Sequence, residues 1–275
     1  MIVEYYGVTD NVCEWHYIHS IIDHLKFDDS VKLHVVSVTP ESDYRDKVIL
    51  DSDVNNIIFG LSDDNMTDNI PQDWKDNAVV FKSYLSPEQE RGNVHSLPLG
   101  YKYNNRHVSN ENLPIINRPF DVFFSGHMSP FPHREDYMSS VIDFFNNLKP
   151  KDKPNLDINI TEGFNMGIDG EIYSKSMHRA KIAICPPVNV SMETFRHYEA
   201  MRSGTIVVSP KLPETKIFKD SYICQVDDWH NDAGHVIMDL LKDLDMLQLV
   251  QDKQNDDYIN RYSPQAIAKY ITDIV

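Results

Sequence analysis

The chain has 275 residues, of which 41% are hydrophobic and 11% aromatic, enough for one large or two small cores. Its 26 Lys and Arg against 42 Asp and Glu leave a formal net charge of −16. That balance excludes the basic footprint of a nucleic-acid surface and disfavours docking to anionic lipid. Three widely spaced cysteines, Cys13, Cys185 and Cys224, make no CxxC pair and fit a reducing compartment.

Residues 2–6 read as a first strand. No signal-peptide pattern precedes it and no apolar run is long enough to span a bilayer, so a cytoplasmic protein without a membrane span is expected. Val12–Leu25 carries Trp15, Ile18, Ile22 and Leu25 at helical spacing. The polar residues Asp10, Asn11, Glu14 and His16 then fall at the carboxyl end of what reads as a central strand, the usual place for function in an open α/β sheet. Asp10 serves equally as a helix cap. Val31–Val38, Asn55–Leu61, Asn77–Tyr84 and Val94–Leu99 are further strands, and the acidic stretch 62–76 reads as a solvated loop. Five strands and few helices make a small first domain, residues 1–101. The aperiodic Asn-, Ser- and Pro-containing segment 102–118 reads as a linker.

The second domain, 119–275, opens with strand Phe120–Ser125, the loop Gly126-His127-Met128-Ser129-Pro130 and a helix from Arg134 to Leu148. A cation in a first helical turn opposes the helix dipole, which points Arg134 towards function rather than a surface position. After strand Leu156–Thr161, the loop 162–167 offers Phe164 for stacking a nucleobase, and Ile172–Arg179 is helical. The stretch 177–208 is a βαβ unit. Lys181–Cys185 is a buried strand, Pro186-Pro187 stops it, Ser191 is the helix N-cap, and Glu193 puts negative charge in the first turn. Phe195, Tyr198 and Met201 follow at helical spacing, Gly204 ends the helix, and Thr205–Val208 is the second strand. The two strands are expected to be parallel, joined by a right-handed crossover. Glu193, Arg196 and Glu199 on this helix either bind a polar ligand or form a solvated face, with equal weight from pattern alone. The chain closes with strand Tyr222–Val226, a helix from Trp229, and a helix capped by Ser263 with Pro264 at its first position. Ile267, Tyr270, Ile271 and Ile274 give that last helix an apolar stripe, and it is free to pack back on the first domain.

Cys185-Pro186-Pro187, Thr194-Phe195-Arg196, Glu199-Ala200 and Arg202-Ser203-Gly204 resemble the donor-binding region of exostosin-like glycosyltransferases, which belong to the GT-B class. The resemblance covers residues 120–225. Val188-Asn189 stands where that family has a glycine in the loop. The resemblance implies an α/β protein of two Rossmann-like domains facing a cleft, the first compact. It implies that the second domain binds a UDP-sugar through Gly126, His127, Arg134, Pro187, Asn189, Ser191, Glu193, Thr194, Arg196 and Glu199. Of these, Glu199 would meet the ribose and Arg134 the diphosphate. The first domain would hold a glycan acceptor, and transfer with inversion would need a base there, for which Asp10 and His16 are the candidates. The nucleotide-sugar is a co-substrate. No cofactor and no essential metal are expected, because Asp51-Ser52-Asp53 has Asp-x-Asp spacing but precedes a strand in a solvated loop. Two other readings stand beside this one. One is a non-catalytic nucleotide-sugar or glycan binder with a degenerate transferase fold. The other is a Rossmann-like epimerase, which would need a glycine-rich turn that Gly7-Val8-Thr9-Asp10 lacks.

Overall fold

The computed structural model describes residues 1–9, 12–39, 42–63, 66, 70–102, 113–128, 132–163, 166–188 and 190–275. The chain divides into two compact units: 1–103 with 213–220 and 260–275, and 104–212 with 221–259. Each is an α/β unit built on a parallel sheet.

In the first unit β1 (Ile2–Tyr6) leads through α1 (Trp15–Ile22) to β2 (Val31–Thr39). A two-residue β3 (Ser42–Asp43) follows, then β4 (Asn55–Leu61), α2 (Gln72–Asn77), β5 (Ala78–Lys82) and β6 (Val94–Ser96). The strand order is β1-β2-β4-β5-β6, all parallel, with β3 antiparallel to β2. β1 therefore lies at the sheet edge, which corrects its reading as a central strand. Its exposure follows from that position: IVEYY leaves Ile2 and Tyr5 exposed, whereas β2 and β4, each with a strand on either side, are nearly all buried.

The stretch 62–76 departs further from expectation. Ile70 and Trp74 pack with Val36, Ile58 and Val80 in one core cluster, so these two side chains cover the sheet instead of lying in water, while residues 64, 65 and 67–69 lie outside the described residues. Asp63 is 1% exposed and holds the equally buried Lys82 at 2.9 Å, and Glu14 accepts from the Ser62 amide (3.1 Å) and hydroxyl (2.9 Å). These groups sit at the carboxyl ends of β4 and β5. A lysine ending the apolar run AVVFK was the available sequence signal for the pair.

The second unit starts with β7 (Phe120–His127), α3 (Pro132–Asn147), β8 (Leu156–Thr161), α4 (Gly170–His178) and β9 (Ala180–Ile184). It continues with α5 (Phe195–Arg202), β10 (Ile206–Pro210), β11 (Cys224–Val226), α6 (Trp229–Lys242) and α7 (Leu244–Asp257). The five strands run parallel in the order β11-β10-β9-β7-β8 around a core that includes Phe124, Ile182, Ile184, Val208 and Trp229. The parallel pairing of β9 with β10 meets the expectation for the βαβ unit. α5 ends in a Schellman motif: the Thr205 amide reaches Ala200 O (2.9 Å), the Gly204 amide reaches Met201 O (3.0 Å), and Gly204 takes φ +63°. Arg118, assigned to the linker from sequence, is instead buried beneath this unit. Its guanidinium donates to the carbonyls of Leu113 (3.2 Å), Ala180 (2.9 Å) and Ser203 (3.1 Å) and to the Thr205 hydroxyl (2.9 Å). Burial pushes its pKa down to about 10, so it stays charged at neutral pH.

The chain then returns to the first unit through α8 (Pro264–Ile274), capped by the Ser263 hydroxyl as its sequence predicts. Ile267 and Ile271 are buried, the Tyr270 ring meets Phe81 edge-on, and the Tyr17 hydroxyl donates to Tyr262 O (2.6 Å). Among the described residues no helix is long and apolar enough to cross a membrane.

Candidate functional site

The second unit gathers polar groups where β7 and β9 end. Cys185-Pro186-Pro187 leaves β9, and the chain turns back before α5. Ser191 accepts the Glu193 amide at its hydroxyl (3.0 Å), so it closes a turn and does not cap the helix. The N-cap is Thr194. Glu193 consequently precedes the helix, where its carboxylate takes a short hydrogen bond from the Tyr198 hydroxyl. The reason for the shift is His197. Its Nδ1 accepts the Thr194 amide (3.1 Å), which completes a capping box with histidine where Glu or Gln is usual.

The His197 ring also reaches the next strand: its Nε2 lies 2.8 Å from the Ser209 hydroxyl, which donates to Pro210 O (2.8 Å), and its Nδ1 lies 3.0 Å from Thr194 O. Burial pushes the His197 pKa down to about 3. The unfolded chain binds this proton near the ordinary histidine value, about 6.5. Stability is therefore full above that pH and declines as pH falls from about 6.5 towards 3. His197→Gln keeps a capping-box side chain without the titration. Its denaturant midpoint is expected to fall less between neutral pH and pH 4 than that of the parent, and equal slopes would remove His197 from the acid response.

Burial decides the question left even by the sequence. Glu193, Arg196 and Glu199 are 4%, 8% and 3% exposed, so this is not a solvated face. Arg196 lies over the Phe124 ring (4.5 Å to its centroid) and donates from Nη2 to Ser125 O (2.6 Å). Its Nε is buried with no hydrogen-bond partner among the described residues. Glu199 accepts from the Tyr173 hydroxyl (3.0 Å). Burial, with the Glu199 carboxylate beside it, holds that hydroxyl well above the ordinary phenol pKa, and burial likewise pushes the Cys185 thiol up to about 12. Tyr173 had no sequence signal, since it reaches Glu199 only because α4 and α5 flank the same sheet.

Arg134 is also buried, which removes the alternative of a surface position. Its Nε donates to Pro187 O (3.0 Å) and its Nη1 to His127 O (2.8 Å), so one side chain joins the loops after β7 and β9. Gly126 is the point both guanidiniums approach. A Cβ there would lie 2.7 Å from Arg196 Nη2 and 3.9 Å from Arg134 Nη1. The structure thus brings together Gly126, His127, Arg134, Pro187, Arg196 and Glu199, with Ser191, Glu193 and Thr194 on the loop that enters α5. Asn189 and Phe164 lie outside the described residues, as does Asp10. His16 belongs to the first unit, in the first turn of α1, where its carbonyl accepts from Ser20 Oγ (2.8 Å). Among the described residues no cluster of three His, Cys, Asp or Glu could hold a metal ion.

Two buried cations beside Gly126, at the carboxyl ends of parallel strands, suit a dianionic phosphate-bearing ligand; the neighbouring carboxylate and phenol suit hydroxyls. No protein-family model and no curated protein sequence matches the chain. Solved structures do. One is AviGT4, a glycosyltransferase involved in avilamycin A biosynthesis, at 11% identity over 99% of this chain and 95% of that one, with a TM-score of 0.50. A mutant of S. aureus TarM in complex with fondaparinux, α-GlcNAc-glycerol and UDP is similar at 11% identity and a TM-score of 0.55, over 94% of this chain and 58% of that one. Sucrose-phosphate synthase from Thermosynechococcus elongatus is similar at 13% identity and a TM-score of 0.51, over 94% and 76%. The chain thus spans little more than half of TarM. At these identities the likeness is one of fold: two α/β units, each a parallel sheet with flanking helices.

Proposed function

We propose that the protein transfers a sugar from a nucleotide-diphosphate donor, a UDP-sugar, to a hydroxyl of a glycan. The observation that carries this reading is the convergence of Arg134 and Arg196 on Gly126. The missing side chain at Gly126, near the end of β7, makes room for the Arg196 guanidinium, and the two desolvated guanidiniums meet the charge of an anion. Glu199, oriented by Tyr173, accepts from the ribose hydroxyls. The solved structure of TarM with UDP supports the donor class. The exostosin-like resemblance supports inversion, in which the acceptor oxygen bonds to the anomeric carbon as the bond to the diphosphate oxygen breaks. The acceptor proton passes to a base on the first unit, for which Asp10 and His16 remain the proposals. Arg134 and the amino end of α5 stabilise the charge gathering on the departing diphosphate. No metal is assigned a role in this reading.

The test begins with UDP binding by calorimetry and continues with UDP-sugar turnover against glycan acceptors. Saturable UDP binding without turnover for any donor and acceptor would favour the non-catalytic binder. Glu199→Gln keeps the size of the side chain and an acceptor for Tyr173. It is expected to weaken UDP binding about ten- to a hundredfold, the loss of one charge-assisted hydrogen bond. Unaltered affinity in folded protein would take Glu199 off the ribose.

A further inference from the structure

The crossover from β2 to β4 has no α-helix. In its place, among the described residues, a short 3-10 turn, Arg45–Lys47, and an irregular segment to residue 53 lie beside β1 and β2. Between segment and sheet lies a cavity of about 450 Å³. Its floor is polar, unlike a sheet face built for a helix. Glu4 and Lys32 pair at 2.8 Å, and the Tyr6 hydroxyl donates to Glu4. Lys32 lowers the Glu4 pKa, while burial and Glu4 push Tyr6 up to about 12, so carboxylate and phenol coexist at neutral pH.

Roof and floor are fixed to each other by buried groups. The Asn56 Nδ2 donates to Asp51 O (2.8 Å) and Val54 O (3.2 Å), and its Oδ1 accepts the Asp51 amide (3.2 Å). With both amide hydrogens spent, Oδ1 also accepts from Nε2 of His34 (3.1 Å), a fully buried side chain whose Nδ1 lies 3.3 Å from the Tyr6 hydroxyl oxygen. One asparagine therefore joins the roof at Asp51 to the floor at His34. At the other end of the roof the Tyr44 amide bonds Ser37 O (3.2 Å), and its ring covers Gly7 so closely that no Cβ would fit. The cavity is preformed.

We propose that this cavity binds a neutral sugar unit, at a site separate from the one that would hold the nucleotide. The lining charges cancel, Lys32 and Lys47 against Glu4 and Asp51, and the whole chain is anionic, so neither a phosphate nor a nucleotide is favoured there. A purely apolar ligand would leave the Glu4–Lys32 pair desolvated without compensation. A sugar ring matches both kinds of wall. Its hydroxyls meet a carboxylate with acceptor capacity to spare, an ammonium and the Ser52 hydroxyl. Its C–H face meets Tyr6, Ile49 and Leu50. The volume is within the range of small-ligand pockets, about 300–1,000 Å³.

The test uses the full chain, with glucose, galactose, N-acetylglucosamine and maltose as probes in saturation-transfer NMR. The expected result is a signal from at least one of them that persists when UDP is added in excess. Two substitutions at exposed roof positions, Ser52→Trp and Lys47→Glu, leave the core untouched, and Tm checks their folding. Ser52→Trp is expected to weaken the sugar at least about tenfold by filling the mouth, and Lys47→Glu to weaken it by a smaller factor. The proposal is overturned by silence from all four sugars, by a signal that UDP displaces, or by full retention in Ser52→Trp. Because it asks for neither turnover nor UDP binding, its outcome is independent of the transferase reading.

Discussion

Arg118→Ala is expected to cost the second unit about 3 kcal/mol or more, since each buried acceptor left without its donor costs about 1–3 kcal/mol. The guanidinium makes four hydrogen bonds, one to Leu113 O and three to the base of β9, the end of α5 and the start of β10. Truncation leaves three carbonyls and a hydroxyl buried with fewer donors, and it removes a cation from the carboxyl end of α5, where the helix dipole favours one. Arg118→Lys should recover little, because one ammonium cannot reach acceptors spread along the fork of a guanidinium. Chemical denaturation of the parent and both variants measures this. A loss below about 1 kcal/mol in Arg118→Ala would mean that the bonds only offset the desolvation of the charge.

Arg134→Ala is expected to lower the turnover number of the proposed transfer by about two orders of magnitude or more, as when one charge-stabilising donor is removed. The interaction grows as charge collects on the leaving diphosphate, so turnover should suffer more than UDP affinity. The structure adds a second consequence. Arg134 also ties Pro187 O to His127 O, so its removal loosens the loops that shape the site. Arg134→Lys separates the two effects. An ammonium retains charge but cannot span both carbonyls and a phosphate, and only part of the lost turnover should return. Near-normal steady-state turnover in folded Arg134→Ala protein would place the residue outside the chemistry and leave it a loop brace.

The sequence by itself determined the elements whose causes are local. The apolar run before Pro186-Pro187, the helical spacing of Phe195, Tyr198 and Met201, and the glycine that takes φ +63° at Gly204 together specify the βαβ unit. Ser263 with Pro264 specifies the start of the last helix in the same way. Each signal involves residues within a few positions of one another, so it survives without knowledge of the rest of the chain. Only the tertiary structure decided what depends on distant partners. Strand order put β1 at the edge, beside β2, and so left Ile2 and Tyr5 exposed. The N-cap moved from Ser191 to Thr194 because His197, itself held by Ser209 on the next strand, could accept the Thr194 amide. Whether Glu193, Arg196 and Glu199 faced water or the interior turned on α4, β7 and their own helix meeting at one end of a sheet. Periodicity reports which residues share a face; which face is covered, and by what, is settled by contacts between segments far apart in sequence.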